Sequence, residues 1–224
     1  MPTAILIDGG FFLRCLRRVY KDIDPHDPAA VAKKAHEMAL DHLRSPRSTT
    51  DRKDLYRIFF YDCPPLIKRV HGPISKKSVN YGASATAQFR LSLHEELKKL
   101  RKVALRLGRL SEYGSWRLRP EVLRPLLDGS RAFDSLTDDD FEYDVRQKGV
   151  DIRIGLDIAS LSFKKQVDQI VLVSGDSDFV PAAKLARREG IDFILDPMWQ
   201  PVAPDLYEHI DGLRSTCPKP RSLS

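Results

Sequence analysis

Four aspartates follow apolar or turn-forming segments in positions that suit the binding of a divalent cation. Asp8 ends the apolar run 4–7, Asp176 and Asp178 follow the run 171–173, and Asp151 follows a Gly-Val pair. In an open parallel α/β sheet, ligands bind in the crevice outside the carboxyl ends of the strands. Carboxylate oxygens are the ligands that Mg²⁺ prefers, and without an ion such groups repel one another. The spacing therefore predicts an acidic metal site.

Each of these acids also has a purely structural interpretation. Asp178 could cap the helix predicted from Phe179, and Asp151 the helix predicted after residue 150. Asp8 could be a turn residue, since Gly9 and Gly10 follow it. The occurrence of all four at corresponding ends of strands or helices favours a shared functional site over four separate structural roles.

Three further polar residues are predicted to support the acids without contacting an ion. Asp157 lies six positions after Asp151, which on a helix turns the two side chains about 120° apart. Asp157 is therefore interpreted as a structural or supporting acid. Ser174 and Ser177 flank Gly175-Asp176 and are assigned the same supporting role.

The elements that would position these residues alternate between strand-like and helix-like segments. Strands are predicted over 4–7, 55–61, 103–110, 169–174 and 192–195, with a short edge strand over 116–119. Helices are predicted over 11–20, 28–43, 84–102, 151–165 and 179–189, and Asp27 is the expected N-cap of the second. The pattern after residue 148 is a β-α-β unit, whose crossover should be right-handed.

One domain over 1–215 is predicted, followed by a flexible tail over 216–224. Residues 45–50 are expected to form a polar loop. The range of about 80–145 is interpreted as a less readable excursion, with an insertion over 120–145 and a solvated acidic loop over 138–140.

Composition narrows the class of protein. The 224 residues carry a net charge of +6, which is compatible with a nucleic-acid partner. The three cysteines are far apart in the sequence, so a reducing compartment is expected. The six histidines show no zinc-binding spacing, so no zinc site is expected. No apolar stretch approaches the ~20 residues of a membrane span. Nucleotide-binding GxGxxG and P-loop motifs and a GxSxG elbow are absent. A soluble cytoplasmic protein is predicted.

Three segments together resemble the NYN family of PIN-like nucleases. They are Ile7-Asp8-Gly9 with Phe11-Phe12, Gln147-Lys148-Gly149-Val150-Asp151 with Asp157, and Ser174-Gly175-Asp176-Ser177-Asp178-Phe179 with Pro181. The likeness covers about 1–70 and 145–210. The chain departs from the family at Gly9, where an asparagine frequently follows the first aspartate.

The resemblance implies an α/β fold, a PIN-like or Rossmannoid three-layer sandwich with a central, mainly parallel sheet and an acidic pocket. The family comprises metal-dependent ribonucleases related to toxin nucleases and flap endonucleases, and many members have no established substrate. Carried over to this sequence, its metal-binding acids are Asp8, Asp151, Asp176 and Asp178, with Asp157 secondary.

The predicted function is hydrolysis of single-stranded RNA by an endonuclease that uses Mg²⁺ or Mn²⁺, with no membrane partner. The oligomeric state stays open, with a homodimer as one candidate. A non-catalytic RNA-binding or adaptor module is the first alternative. A phosphatase of the haloacid-dehalogenase class is the second, although it needs an acid where this chain has Gly10 and another where it has Val180.

Overall fold

A computed structural model describes residues 2–44 and 53–220 of the chain. The polar loop predicted over 45–50 lies outside the described residues. The strands are β1 Thr3–Asp8, β2 Leu55–Asp62, β3 Arg69–His71, β4 Ser78–Asn80, β5 Val103–Leu107, β6 Arg109–Leu118, β7 Phe141–Lys148, β8 Gln169–Val173, β9 Asp192–Asp196 and β10 Gly212–Leu213. The α-helices are α1 Gly9–Val19, α2 Pro28–Asp41, α3 Ala85–Lys99, α4 Pro120–Leu127, α5 Val150–Phe163, α6 Val180–Arg188 and α7 Pro204–Tyr207.

Six strands form one parallel sheet in the order β10-β9-β8-β1-β2-β5. The central strand β1 is fully buried over residues 4–7, as expected for a parallel strand that is covered on both faces. Its side chains alternate between two cores, since Ile5 and Ile7 belong to one and Ala4 and Leu6 to the other. The sheet is thus the middle layer of the structure.

Helices cover both faces of the sheet. The apolar sides of α1, α2 and α3 pack on one face, and those of α5, α6 and α7 pack on the other. Asp27 caps α2 through its carboxylate, as the sequence predicts. The predicted three-layer α/β sandwich with a parallel sheet is confirmed.

The range 80–145 is not an excursion over its whole length, because α3 and β5 are parts of the sandwich. The strand predicted over 103–110 breaks at Gly108, where a Cβ would lie 2.8 Å from the carbonyl oxygen of Lys148. Beyond this point the chain leaves the sheet and forms the antiparallel hairpin β6–β7, which includes the predicted edge strand at 116–119. Among the described residues, the strands outside the six-stranded sheet are those of the hairpins β3–β4 and β6–β7.

The acidic run 138–140 is not a solvated loop. It forms a short 3₁₀ helix in which Asp140 is buried and paired with Arg131, whose hydrogen bonds help lower the pKa of Asp140 to about 2. Asp138 accepts hydrogen bonds from the backbone of Ile74 and Ser75 and so connects the run to the β3–β4 turn.

The structure also differs at the beginning of the predicted tail. The Thr216 hydroxyl donates to the carbonyl oxygen of Met38 at 3.1 Å, and Cys217 is buried in the core beside α1 and α2. Residues 216 and 217 are therefore packed against the domain. Among the described residues, no helix has the length and apolar character that a membrane crossing requires.

Candidate active site

A cleft of about 530 Å³ opens at the carboxyl ends of β1 and β8. Because Ile7 and Val173 are paired across these two strands, Asp8 and Ser174 begin the neighbouring loops side by side. The lining residues used below are Asp8, Phe11, Arg14, Ser174, Gly175, Asp176, Ser177 and Gln200. Two of the predicted acids and both predicted serines thus line one cleft.

Asp8 is half-buried at the end of β1 and is the N-cap of α1. One carboxylate oxygen accepts a hydrogen bond from the backbone nitrogen of Phe11 at 3.0 Å. Burial raises the pKa of Asp8 above its ordinary value of 3.8; the hydrogen bond from Phe11 opposes this rise, and the charge of Asp151 adds to it. Asp8 therefore has both a structural role and an electrostatic environment that favours a cation.

Asp151 lies in the first turn of α5 and is not among the described residues that line the cleft. It does not cap this helix, because the N-cap is Gly149, which has a φ of 78°. Desolvation raises the pKa of Asp151, and the charges of Asp176 and Asp178 raise it further. Asp151 is thus electrostatically coupled to Asp8 on one side and to the acids after β8 on the other.

Asp176 and Asp178 are exposed in the turn after β8, and Asp176 lines the cleft whereas Asp178 is not among its described lining residues. The capping residue here is Asp176, whose carboxylate accepts from the backbone nitrogen of Asp178 at 3.0 Å and starts a 3₁₀ turn over 177–179. The structural interpretation that Asp178 is the cap is therefore wrong. The buried hydroxyl of Ser174 accepts from the backbone nitrogen of Asp176 at 3.3 Å and holds this turn in place.

Asp157 lies beneath the site. Its carboxylate accepts from the Tyr61 hydroxyl at 2.8 Å and pairs with Arg106 at 3.3 Å. Tyr61 is opposite Asp8 in the register of β1 and β2. The contacts of Asp157 are thus with the strand beside Asp8, and its assignment as a supporting acid stays a prediction.

Several residues of the cleft carried no recognised sequence signal. Arg14 follows Gly10 by one helical turn, so its place on α1 could have indicated a cation beside Asp8. Gln200 comes from the segment after β9 and meets the cleft only through the tertiary fold. Gly175 packs against Phe11, whose ring would lie 2.9 Å from a Cβ at this position.

The departure from the family pattern at Gly9 has a local cause. A Cβ at Gly9 would lie 2.6 Å from the carbonyl oxygen of Tyr61 and 2.5 Å from the Phe60 ring. An asparagine cannot be placed here without displacing β2. The close approach of α1 to β2 therefore requires glycine directly after Asp8.

The donor set fits a hard divalent ion by its chemistry, since it consists of carboxylates that repel one another. Within residues 2–44 and 53–220, no group of three or more His, Cys, Asp or Glu side chains already has the arrangement of a metal site. The side chains of Asp151 and Asp178 are exposed, and that of Asp176 is exposed but accepts the hydrogen bond from the backbone nitrogen of Asp178. An ion would be held by their convergence on Asp8.

The raised pKa of Asp8 predicts an effect of pH on the metal-free protein. The pKa of Asp8 is higher in the folded protein than in the unfolded chain. Such an acid stabilises the folded protein at a pH below the pKa of the unfolded chain, and this stabilisation is lost as the pH rises through the pKa of the folded protein. Asp8→Asn removes the charge and keeps the cap. In EDTA, the melting temperature of Asp8→Asn relative to wild type should rise as the pH increases above about 4.

The control for this measurement is Asp27→Asn, which changes the exposed cap of α2 outside the cleft. Its melting temperature should follow that of the wild type across the same range. If the difference in melting temperature between Asp8→Asn and the wild type stays constant with pH, the claim that burial destabilises the charged form of Asp8 is wrong.

The structure is a parallel α/β sandwich with acidic residues at the carboxyl ends of β1 and β8. The chain is similar to the NYN family over residues 92–201, which the model of the NYN domain matches. This match indicates a ribonuclease-type fold. It includes Asp151, Asp176 and Asp178 and most of the range 80–145, whereas Asp8 lies outside it.

The chain is also similar to a protein of unknown function from Vibrio parahaemolyticus whose crystal structure has been solved. The two are 17% identical, the similarity covers 95% of this chain and 90% of the other, and the TM-score is 0.43. No curated protein matches the sequence.

Proposed function

We propose that this protein is a metal-dependent endoribonuclease that hydrolyses phosphodiester bonds in single-stranded RNA. The observation that carries the proposal is that Asp8 and Asp176 line one cleft at the carboxyl ends of β1 and β8, with Asp151 close enough for its charge to raise the pKa of Asp8. The ribonuclease-type NYN domain supports the same activity. Clustered acids with raised pKa values are typical of functional sites because they cost stability that packing alone would not require.

In this proposal, Asp8 and Asp176 hold Mg²⁺ or Mn²⁺ directly, and Asp151 and Asp178 complete the site directly or through water. The chemistry that a divalent ion supplies at such a site is activation of water and neutralisation of phosphate charge. Arg14 at the rim of the cleft binds a phosphate oxygen of the substrate and offsets the charge of the acids. Ser174 fixes the turn that carries Asp176.

The lining of the cleft also bears on the general base. No histidine is among its described lining residues, so a mechanism that depends on imidazole has no support here. A divalent ion held by the four acids would lower the pKa of the attacking water, so the proposal requires no separate side chain as general base.

Two alternatives are weaker. A phosphatase of the haloacid-dehalogenase class needs a second acid two residues after the first, and that position is Gly10 in α1. A non-catalytic RNA-binding or adaptor module would retain the fold and the charge pattern, and only an activity measurement separates it from the nuclease. We also propose a cytoplasmic location, which is supported by three unpaired, buried cysteines.

The chemistry of the products tests the proposal. Water that attacks the phosphate directly needs no ribose 2′-hydroxyl, so we expect 5′-phosphate and 3′-hydroxyl ends and no 2′,3′-cyclic phosphate. Mass spectrometry of single-stranded RNA digested with Mn²⁺ should show these ends, and EDTA should abolish cleavage. Cyclic phosphates formed in EDTA would indicate an activity unrelated to the aspartates. No products with Mn²⁺ bound would favour the adaptor.

The substrate preference is a separate expectation. By the resemblance to PIN-like nucleases, we expect single strands to be cut faster than duplexes, with binding that weakens as salt rises. The test is the rate of cleavage in the loop and the stem of one RNA hairpin. Equal rates in both would contradict the preference for single strands.

A further inference from the structure

A second groove lies beside the acidic cleft, on the other side of α1. Its volume is about 470 Å³, and its walls are the exposed sides of α1 and α3 together with the segment 25–26. We call it the α1–α3 groove. The residues that matter for its chemistry are Gly10, Arg14, Arg17, His26, Phe89 and Arg90.

The spacing of residues along α1 explains why this helix lines both cavities. Gly10, Arg14 and Arg17 are separated by one and two turns and therefore share one side of the helix, which faces the groove. Phe11 and Cys15 face the acidic cleft. Arg14 lines both cavities, so the two are continuous at this residue.

The charge of the groove differs from that of the cleft. Its described lining includes three arginines and a histidine but no carboxylate. Arg90 is held by the buried carboxylate of Asp62, and it is therefore fixed in place with its charge compensated. The side chains of Arg14 and Arg17 are exposed and form no ion pair with a described residue. Their guanidinium groups are available to an anion.

We propose that the α1–α3 groove binds the phosphate backbone of the RNA strand on one side of the cleavage site. The strand crosses α1 at Arg14, and Arg17 contacts a phosphate roughly 5 Å further along the helix axis. The ring of Phe89 in the groove wall offers an apolar surface to a base. This assignment of a substrate path rests on the proposed ribonuclease function.

The polarity of the two cavities supports this path. Backbone phosphates are repelled by the four aspartates unless a divalent ion neutralises them. Positively charged side chains beside such a site help to retain the RNA strand. The helix α1 supplies such side chains next to Asp8. The acidic cleft then provides the reaction, and the groove provides most of the backbone affinity.

Charge reversal at Arg17 tests the groove. Binding of fluorescent single-stranded RNA of about 12 nucleotides, a typical site size, is measured in EDTA by anisotropy over a range of salt concentrations. Arg17→Glu should weaken binding at low salt by about tenfold or more and reduce the salt slope by about 1. Binding of a much shorter RNA, which reaches less of the groove, should weaken by a smaller factor.

The matched control is Arg188→Glu. Arg188 is also an exposed arginine in the last turn of its helix, but α6 packs on the opposite face of the sheet. We expect its RNA affinity to equal that of wild type within about twofold. Circular dichroism of both variants checks that the helices persist.

The outcomes separate the groove from the nuclease proposal, because binding in EDTA does not require cleavage. Weaker binding by Arg17→Glu alone supports the groove, even if the protein cuts no RNA. Equal affinity of Arg17→Glu and Arg188→Glu overturns the groove, even if the protein is a nuclease. Failure of the wild type to bind RNA both in EDTA and with Mn²⁺, which neutralises the aspartates, overturns it as well.

Discussion

Asp8→Asn is expected to lower the rate of RNA cleavage at limiting Mn²⁺ by on the order of 100-fold or more, while the protein stays folded. Asp8 is the proposed ligand of lowest exposure, and burial raises its pKa in the absence of an ion. Asparagine retains an oxygen that can accept the hydrogen bond from Phe11, and it caps helices as well as aspartate does. The substitution therefore isolates the charge.

Asp176→Asn should have a similar effect for the same reason, since asparagine preserves the cap on Asp178. Metal affinity, measured by isothermal titration, should fall together with the rate in both variants. Asp27→Asn is the matched control, because it makes the same change at the cap of α2 and should leave both quantities unchanged. Full cleavage by Asp176→Asn at limiting metal would remove this residue from the site.

His94→Leu is expected to reduce the free energy of unfolding by about 3–5 kcal/mol. His94 lies in α3 and its ring nitrogen is 2.8 Å from the carboxylate of Asp62, whose side chain is 1% exposed. Burial alone would raise the pKa of Asp62, but His94 and Arg90 outweigh this effect and hold the pKa below its ordinary value. Without His94, a buried carboxylate loses one of its two side-chain hydrogen-bond partners.

The pH dependence follows from the lowered pKa. Asp62 contributes stability above its ordinary pKa of 3.8, and this contribution is lost as the pH falls through the lower folded value. In His94→Leu the contribution should be smaller, so its deficit in urea unfolding should be larger at neutral pH than in acid. The control is His71→Leu on the exposed strand β3, which should change stability by less than about 0.5 kcal/mol. Equal stability of both variants at pH 7 would contradict the account of this pair.

The strands next to the site could be predicted because parallel strands at the centre of a sandwich are apolar throughout. The runs 4–7 and 169–173 are buried on both faces, and this requirement leaves a clear pattern in the sequence. The end of such a run gives the position of Asp8 and the turn that carries Asp176. The local apolar pattern was therefore sufficient for these two strands and for the loops that follow them.

Within 80–145, the predicted helix over 84–102 and strand over 103–110 correspond to α3 and β5, but their place in the fold and the β6–β7 pair could not be predicted, because they depend on distant pairing. The strand β5 joins the sheet only through β2, and the β6–β7 hairpin is completed by Trp116 and Tyr143, whose rings meet at 5.4 Å. Asp62 gave no signal either, since its partners Arg90 and His94 are brought to it by the packing of α3. These contacts are tertiary and leave no periodic pattern.

The assignment of the cap after β8 was wrong for a local reason. The sequence predicted one helix from Phe179, with Asp178 at its start. The chain instead makes a 3₁₀ turn over 177–179 before α6 begins, which moves the capping role back to Asp176. Such turns are frequent at helix starts and differ too little from an α-helix to be read from residue types.

The most direct test of the central claim is the anomalous difference map of a crystal of the wild-type protein soaked in Mn²⁺. The account predicts a peak between the carboxylates of Asp8 and Asp176, with Asp151 and Asp178 in contact with it directly or through water, and no such peak in Asp8→Asn. Cleavage of single-stranded RNA in Mn²⁺ with no peak at these carboxylates, or with the ion bound elsewhere, would contradict it.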